Sequence, residues 1–289
     1  MYMKDYKELL TQFIANALAE DLGSGDHTSL STIPANKKGA AKLIIKDKGV
    51  LAGVDVALAI FKQVDADLLV HVLLHDGAKV EYGDIALTVE GNISSILIAE
   101  RLVLNTMQRM SGIASTTARI VAKLKDTNSR VLDTRKTTPN LRFLEKQAVV
   151  IGGGVNHRIG LYDMILIKDN HVDYAGGIKN ALLAAKAYIT DKKLTLEIEI
   201  EVRTISELEE VIEAGGADRI LLDNFSFVNL KSAVNLISGR FPTEASGGIS
   251  EENVLEYAQC GVDYISMGAL THSVKSLDMS LKAINQDIN

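Results

Sequence analysis

Cysteine is nearly absent. Cys260 is the one thiol in 289 residues, which excludes an internal disulfide and a cysteine-built zinc cluster. Long apolar runs are missing too. The nearest approach, GVLAGVDVALAIF at 49–61, is interrupted by Asp55 and falls short of the roughly 18 apolar residues that a membrane span needs. The amino terminus, MYMKDYKELLTQFIANALAED, scatters acids and bases among its apolar positions and holds no uninterrupted stretch of the signal-peptide kind. Positive charge is in deficit: 31 Lys and Arg against 37 Asp and Glu leave a net charge of -6, so there is no electrostatic footprint for nucleic acid. A cytoplasmic enzyme with no nucleic-acid and no membrane partner is the expectation, and any anion it binds must meet a local cluster of cations.

Such a cluster is present. Residues 131–171 gather Arg135, Lys136, Arg158, Lys168, His157 and His171. Two short apolar runs, 131–132 and 164–167, end directly at charged residues, as buried parallel strands do. Charge at the carboxyl end of a strand is where barrel enzymes place their chemistry. A solvated helix face would also carry Lys and Arg, but 134–139 has no amphipathic period, and Pro139 holds Thr138 away from the helical region.

Before this stretch the chain reads as a helix over 5–19, a Gly-rich loop at 20–29, and short strands and turns with one helix at about 54–64. Asp26 and His27 sit in that loop and read as turn formers rather than site residues. His71 and His75 lie in a strand-like run, too far apart for an easy metal pair, and read as surface histidines. The longest helical pattern covers 93–125, with Ser111-Gly112 expected to break it in two. After 130 the pattern becomes strand, loop, helix, repeated, with strands expected at 131–133, 164–168, 195–201, 219–223, 243–246 and 263–267. That alternation predicts a parallel α/β barrel, and six strands make it incomplete.

Each strand end offers polar groups. Glu197, Glu199 and Glu201 alternate with apolar residues and should face one side of their strand. Stacked carboxylates inside a barrel need cations or metal beside them. Glu201 and Asp223, on successive strands, suit Mg²⁺ with room for water and phosphate oxygens. Ser246-Gly247-Gly248 and Gly268-Ala269 follow the last two strands, where glycine lets backbone N–H groups close on a phosphate. The dinucleotide fingerprint fails because His157 stands where Gly152-Gly153-Gly154 would need another glycine, and no Walker sequence occurs. The residues alone therefore describe a Mg²⁺-dependent enzyme acting on a phosphorylated anion. Arg135, His157 and Arg158 form a second cationic pocket for a carboxylate-bearing partner.

EDLGSGD at 20, ERLVLNTMQRMSGIAS at 100, DTRKTTPNLR at 133, GGGVNHRIGLYDMILIKDNH at 152, EIEVR at 199, LLDNF at 221, SGGI at 246 and ISMGALTHS at 265 together resemble quinolinate phosphoribosyltransferase, the carboxylating nicotinate-nucleotide pyrophosphorylase, in family order over nearly the whole chain. The resemblance implies an amino-terminal α/β sandwich domain over 1–112, with part of the tail at about 271–289 packing on it. It implies an incomplete, six- to seven-stranded α/β barrel over 113–270. It further implies transfer of phosphoribose from phosphoribosyl pyrophosphate to quinolinate, giving nicotinate mononucleotide, pyrophosphate and carbon dioxide in NAD biosynthesis. Arg135, His157, Arg158 and Lys168 would bind quinolinate, with Arg101 reaching in from the second subunit of a homodimer. Lys136, Lys168, Glu201, Asp223, Ser246, Gly247, Gly248 and Gly268 would hold phosphoribosyl pyrophosphate, and Glu201 and Asp223 its Mg²⁺. Lys136, Lys168, Glu201 and Asp223 form the catalytic set. Two other readings stay open: a related phosphoribosyltransferase or molybdenum-operon paralogue with a different acceptor, and a non-catalytic phosphoribosyl-binding regulator.

Overall fold

A computed structural model describes residues 3–284, with side chains from Tyr6 onward, as two compact units. The first comprises the residues up to Ala118, Thr138–Gly153 and the stretch from Ser273; the second comprises Arg119–Thr137 and Gly154–His272. Residues 138–153 thus fall in the first unit, whereas a boundary at 112/113 assigns them to the barrel. The cause is the amphipathic helix Arg142–Ile151, which buries Leu144, Ala148 and Val149 and whose fully buried Glu145 pairs with Arg109 at 2.8 Å.

In the first unit, β1 (Lys38–Ile45), β3 (Leu69–Val72), β5 (Ile85–Asn92) and β12 (Met279–Ile284) form an antiparallel sheet in the order β12-β1-β5-β3. A small ribbon pairs β2 (Gly49–Val50) with β4 (Lys79–Val80). Strand β1 buries Ala41, Leu43 and Ile45 at alternate positions, the period-two pattern of a sheet with one covered face. The tail expected to pack here runs through β12, and its residues 285–289 lie outside the described residues. The loop reading of Asp26 resolves into a helix cap, with Asp26 accepting the Ser29 amide at the start of helix His27–Thr32. His71 and His75 are exposed.

The expected break at Ser111-Gly112 does not occur. Helix Ile93–Lys123 is continuous over 31 residues. The Ser111 hydroxyl accepts the Ala52 amide at 2.8 Å and lies 3.1 Å from the Ala52 carbonyl. A side chain at Gly112 would press on the Lys275 carbonyl and come within 3.1 Å of Ser276 Cα. The two small residues admit neighbouring backbone to the helix surface, which is a packing role and not a hinge.

The second unit contains β6 (Arg130–Leu132), β7 (Ile165–Ile167), β8 (Ile198–Val202), β9 (Arg219–Asp223), β10 (Thr243–Ser246) and β11 (Tyr264–Ser266). All six expected strands form, and they pair in parallel in the order β6-β11-β10-β9-β8-β7. Strands β6 and β7 are the two edges of this open barrel, and beyond β6 there is a single parallel bridge, Leu132 to Val155. Val131, Ile198, Ile200, Val202, Ile220, Leu222, Ala245 and Ile265 are buried, as expected for strands covered on both faces. Helices Ile178–Lys192, Ile205–Ala214, Phe227–Ile237 and Val254–Ala258 intervene between strands. Thr204 and Ser226 cap two of them through side-chain oxygens. Because the strands are parallel, their carboxyl ends gather at one rim.

Candidate active site

That rim opens into a cavity of about 760 Å³ built from second-unit residues. Arg135 and Lys136 enter from beyond β6, Arg158 from the loop before β7, and Lys168 from its end. Glu201 comes from β8, Asp223 and Asn224 from β9, Ser246 to Gly248 from β10, and Gly268 with His272 from beyond β11. Arg135, Lys136, His157, Arg158, Lys168, Glu201, Asp223, Ser246, Gly247, Gly248 and Gly268 therefore line one space, whereas His171, Glu197 and Glu199 do not line it. Arg101 is not among the lining residues and is exposed on helix Ile93–Lys123 of the first unit.

One side of the cavity is basic. Arg158 donates from Nη1 to the Met164 carbonyl at 3.3 Å, and its pKa lies below the usual guanidinium value because of burial and then the nearby charge of Arg135. Arginine stays protonated even so. The partly buried Arg158 guanidinium and the exposed one of Arg135 repel each other, and a dianion lying between them would remove that repulsion.

The same cavity also carries carboxylates and glycine turns. Lys168 Nζ stands 3.5 Å from Glu201 Oε2. Glu201 is pushed above the usual carboxyl range by burial; Lys168 lowers it, while Asp223 raises it. A carboxyl pair of this kind calls for more positive charge than Lys168 supplies, and its hard oxygens match Mg²⁺. Register places Glu201 opposite Leu221 and Asp223 opposite Ser246, so the two acids sit on neighbouring strands two residues apart. Asn224, in a left-handed conformation at φ 55°, donates from Nδ2 to Asp223 Oδ2 at 2.6 Å and fixes that carboxylate. Gly247 (φ 96°) and Gly248 (φ 61°) turn the chain after β10 with no side chain in the way. A Cβ at Gly268 would crowd Lys136 Cδ at 2.9 Å and the His272 ring at 3.0 Å. The Thr271 hydroxyl holds the Lys136 carbonyl at 2.7 Å.

Beneath the mouth lies a buried ionic cluster. His157 Nε2 is 2.9 Å from Glu199 Oε2 and 3.4 Å from Glu244 Oε2, and Arg219 Nη1 is 3.4 Å from that same Glu244 oxygen. Both carboxylate side chains are fully buried. The contact to Glu199 is an ion pair rather than a directed hydrogen bond, since both Glu199 oxygens and Glu244 Oε1 have no hydrogen-bond partner among the described residues. Burial pulls the His157 imidazole towards its neutral form, but Glu199 and then Glu244 outweigh it and hold the pKa at about 9. The opposing contact is the Arg158 amide, which donates to His157 Nδ1 at 2.7 Å. Two buried carboxylates prevail over one amide, because an unneutralised charge in the interior costs more than one hydrogen bond. Burial and the neighbouring Glu244 raise Glu199, despite His157. Glu244 is lowered, because His157, Ser266 and Arg219 together overcome its burial.

The inward row of acids is shorter than the alternation predicts. Glu199 and Glu201 turn in, but Glu197 precedes β8, is 63% exposed and reaches Arg219 at 3.8 Å. Glu244 and His272 escaped the sequence reading, and Asn224 entered it only as part of the polar end of its strand. A charged residue inside the short buried strand TEAS was the available signal for Glu244. His272 and Asn224 sit inside motifs quoted for the resemblance without a role of their own.

Two family models match the chain: the quinolinate phosphoribosyl transferase N-terminal domain over residues 26–111 and the C-terminal domain over 113–282. The mitochondrial quinolinate phosphoribosyltransferase [decarboxylating] 2a of Nicotiana tabacum is 47% identical over 281 residues, covering 92% of this chain and 80% of the relative. The nicotinate-nucleotide pyrophosphorylase [carboxylating] of Mycobacterium leprae is 43% identical over 274 residues, covering 93% and 95%. The crystal structure of NadC from Streptococcus pyogenes superposes with a TM-score of 0.89 at 39% identity, covering 95% of this chain and 96% of that one. With both halves of the chain matched and the barrel rim carrying the cations, acids and glycines in one cavity, this protein belongs to the quinolinate phosphoribosyltransferase family.

Proposed function

We propose that the protein transfers phosphoribose from phosphoribosyl pyrophosphate to quinolinate with loss of carbon dioxide, forming nicotinate mononucleotide and pyrophosphate in NAD biosynthesis. The observation that carries this reading is that one cavity is lined by Arg135 and Arg158 together with Glu201, Asp223 and the turns at 246–248 and 268. Quinolinate brings two adjacent carboxylates, which guanidinium forks read in a bidentate manner. The phosphate of the donor suits the cavity-lining glycine turns at Gly247, Gly248 and Gly268, and Lys136 and Lys168 supply point charge to its pyrophosphate.

In the proposed reaction the pyridine nitrogen forms a bond to the anomeric carbon of ribose as the bond to pyrophosphate breaks, through an oxocarbenium-like state. Arg135 and Arg158 orient the ring by its carboxylates, which turns the nitrogen towards that carbon. Glu201 and Asp223 lay negative field against the developing positive charge. They are also the oxygen donors fitted to Mg²⁺, which when bound would neutralise charge on the departing pyrophosphate. Once alkylated, the nitrogen is cationic; the bond from C2 to its carboxylate breaks, the electron pair stays at C2 beside that charge, and a proton from water replaces carbon dioxide.

We also propose a homodimer in which Arg101 of one subunit completes the acceptor pocket of the other. An exposed arginine on a helix of the first unit is consistent with that role. A carboxyl-labelled quinolinate assay tests the main reading: labelled carbon dioxide should appear only when phosphoribosyl pyrophosphate and Mg²⁺ are both present. Turnover of nicotinate with no release from quinolinate would instead favour a relative with another acceptor, and no turnover of either would favour a binding protein.

A further inference from the structure

His157 has little left to offer a ligand through its nitrogens. Nε2 lies between Glu199 and Glu244, and Nδ1 faces the Arg158 amide. The backbone around it is fixed as well. Fully buried Asp133 accepts the His157 amide at 2.9 Å through Oδ1 and the Asn156 side-chain amide at 2.5 Å through Oδ2. The segment Asn156-His157-Arg158 is therefore held twice, its backbone by Asp133 from beyond β6 and its ring by acids from β8 and β10. What this double attachment leaves projecting into the cavity is Arg158. We propose that Glu199 and Glu244 are positioning residues for the acceptor: by gripping the His157 ring inside the barrel they set the position of the Arg158 guanidinium at the mouth. This rests on the reading above that Arg158 takes a carboxylate of the acceptor.

The physical case is one of cost and geometry. Two fully buried carboxylates on a barrel axis are expensive to keep, and packing alone would be served by apolar residues of the same size. Glu244 is shared, with Oε2 3.4 Å from both His157 and Arg219, and the Arg219 guanidinium stacks on Tyr264 at 4.5 Å. The grip on His157 is thereby anchored to β9, β10 and β11 at once, on regular strands rather than on loops. A bidentate carboxylate contact tolerates little displacement of its fork, so a ring free to turn would show itself first in acceptor binding. On the donor side Glu201 pairs with Lys168 and Asp223 accepts from Asn224.

The test is a pair of double-mutant cycles with the full chain, Glu199→Gln with His157→Ala and Glu244→Gln with His157→Ala, read by the Michaelis constants for quinolinate and for phosphoribosyl pyrophosphate. Glutamine keeps the shape and removes the charge. We expect each glutamine variant to raise the quinolinate constant about tenfold while the donor constant stays within about twofold. We expect no further effect of either glutamine once His157 is alanine, because both act through that ring. Additive losses, equal rises in both constants, or no change in either would overturn the proposal. If Glu199→Gln does not accumulate as folded protein, the Glu244→Gln cycle decides by the same criteria. A stoichiometric transition metal in the purified protein that disappears in both glutamine variants would also overturn it, by making the three side chains a metal site. Labelled carbon dioxide release by the unaltered protein is measured alongside: its absence counts against the function, whereas its presence with unresponsive variants counts against the positioning role alone.

Discussion

Asn224 fills the space beside Gly247 that a side chain would need. A Cβ on Gly247 would sit 2.9 Å from the Asn224 backbone nitrogen and closer still to its side-chain amide, and the Asn224 backbone N–H donates to the Ser246 carbonyl at 2.9 Å. The glycine turn after β10 and the acid at the end of β9 are thus one mechanical unit. Gly247→Ala should push Asn224 away from Asp223 and strain a backbone at φ 96°, costing about 1–3 kcal/mol of stability. The Michaelis constant for phosphoribosyl pyrophosphate should rise more than that for quinolinate. Thermal melts and steady-state kinetics check both parts.

Arg135→Ala should remove acceptor binding and spare the donor. Arg135 is exposed at the mouth, and the loss of its charged hydrogen bonds to a carboxylate is worth about 1.5–3 kcal/mol, which calorimetry with quinolinate would read as a fall of roughly tenfold or more in affinity. Binding of phosphoribosyl pyrophosphate should change by less than about threefold if the two sides are separate. Lys168→Ala, beside Glu201 at 3.5 Å, should weaken both ligands.

Chelation should stop turnover, and added Mg²⁺ should restore it. Asp223→Asn and Glu201→Gln remove the proposed oxygen donors and should each lower kcat by about 10²–10³, with the Mg²⁺ concentration at half activity shifted upward. Activity unaffected by both chelator and substitution would remove the metal from the proposal.

The imidazole of His157, held at about 9 against an ordinary 6.5, gives a pH window. A histidine raised on folding stabilises the protein fully below its unfolded value, and that contribution disappears as pH climbs through the folded value. Stability should therefore fall between pH 6.5 and 9, by an amount on the order of 3 kcal/mol at 1.36 kcal/mol per unit. Denaturant melts across that range should show the slope in the unaltered protein and a flatter line in His157→Asn.

Mixing an Arg101→Ala chain with a Lys168→Ala chain tests the dimer. One intact composite site in each mixed dimer should return activity that neither variant has alone, up to about a quarter of the unaltered level for random re-pairing. No recovery would mean that each subunit carries its own complete site.

The strands of the barrel and the cations, acids and glycines at its rim were legible in the order of residues. Short apolar runs ending in Asp133, Lys168, Asp223 and Ser246 are a local pattern, and parallel strands must deliver their carboxyl ends to one side. Two other features depended on the folded chain. The small pair Ser111-Gly112 reads locally as a break, yet distant backbone at Ala52 and Lys275 fits against it and the helix runs on. Glu199 reads only as one of an alternating row of acids in need of a cation, and Glu244 has no reading at all, until β8 and β10 bring them to His157, 42 and 87 residues away in sequence. Which strand a residue occupies follows from its neighbours along the chain, because burial period and turn chemistry are short-range. Which charges meet inside the barrel is decided by the sheet's pairing order, a long-range property no local pattern encodes.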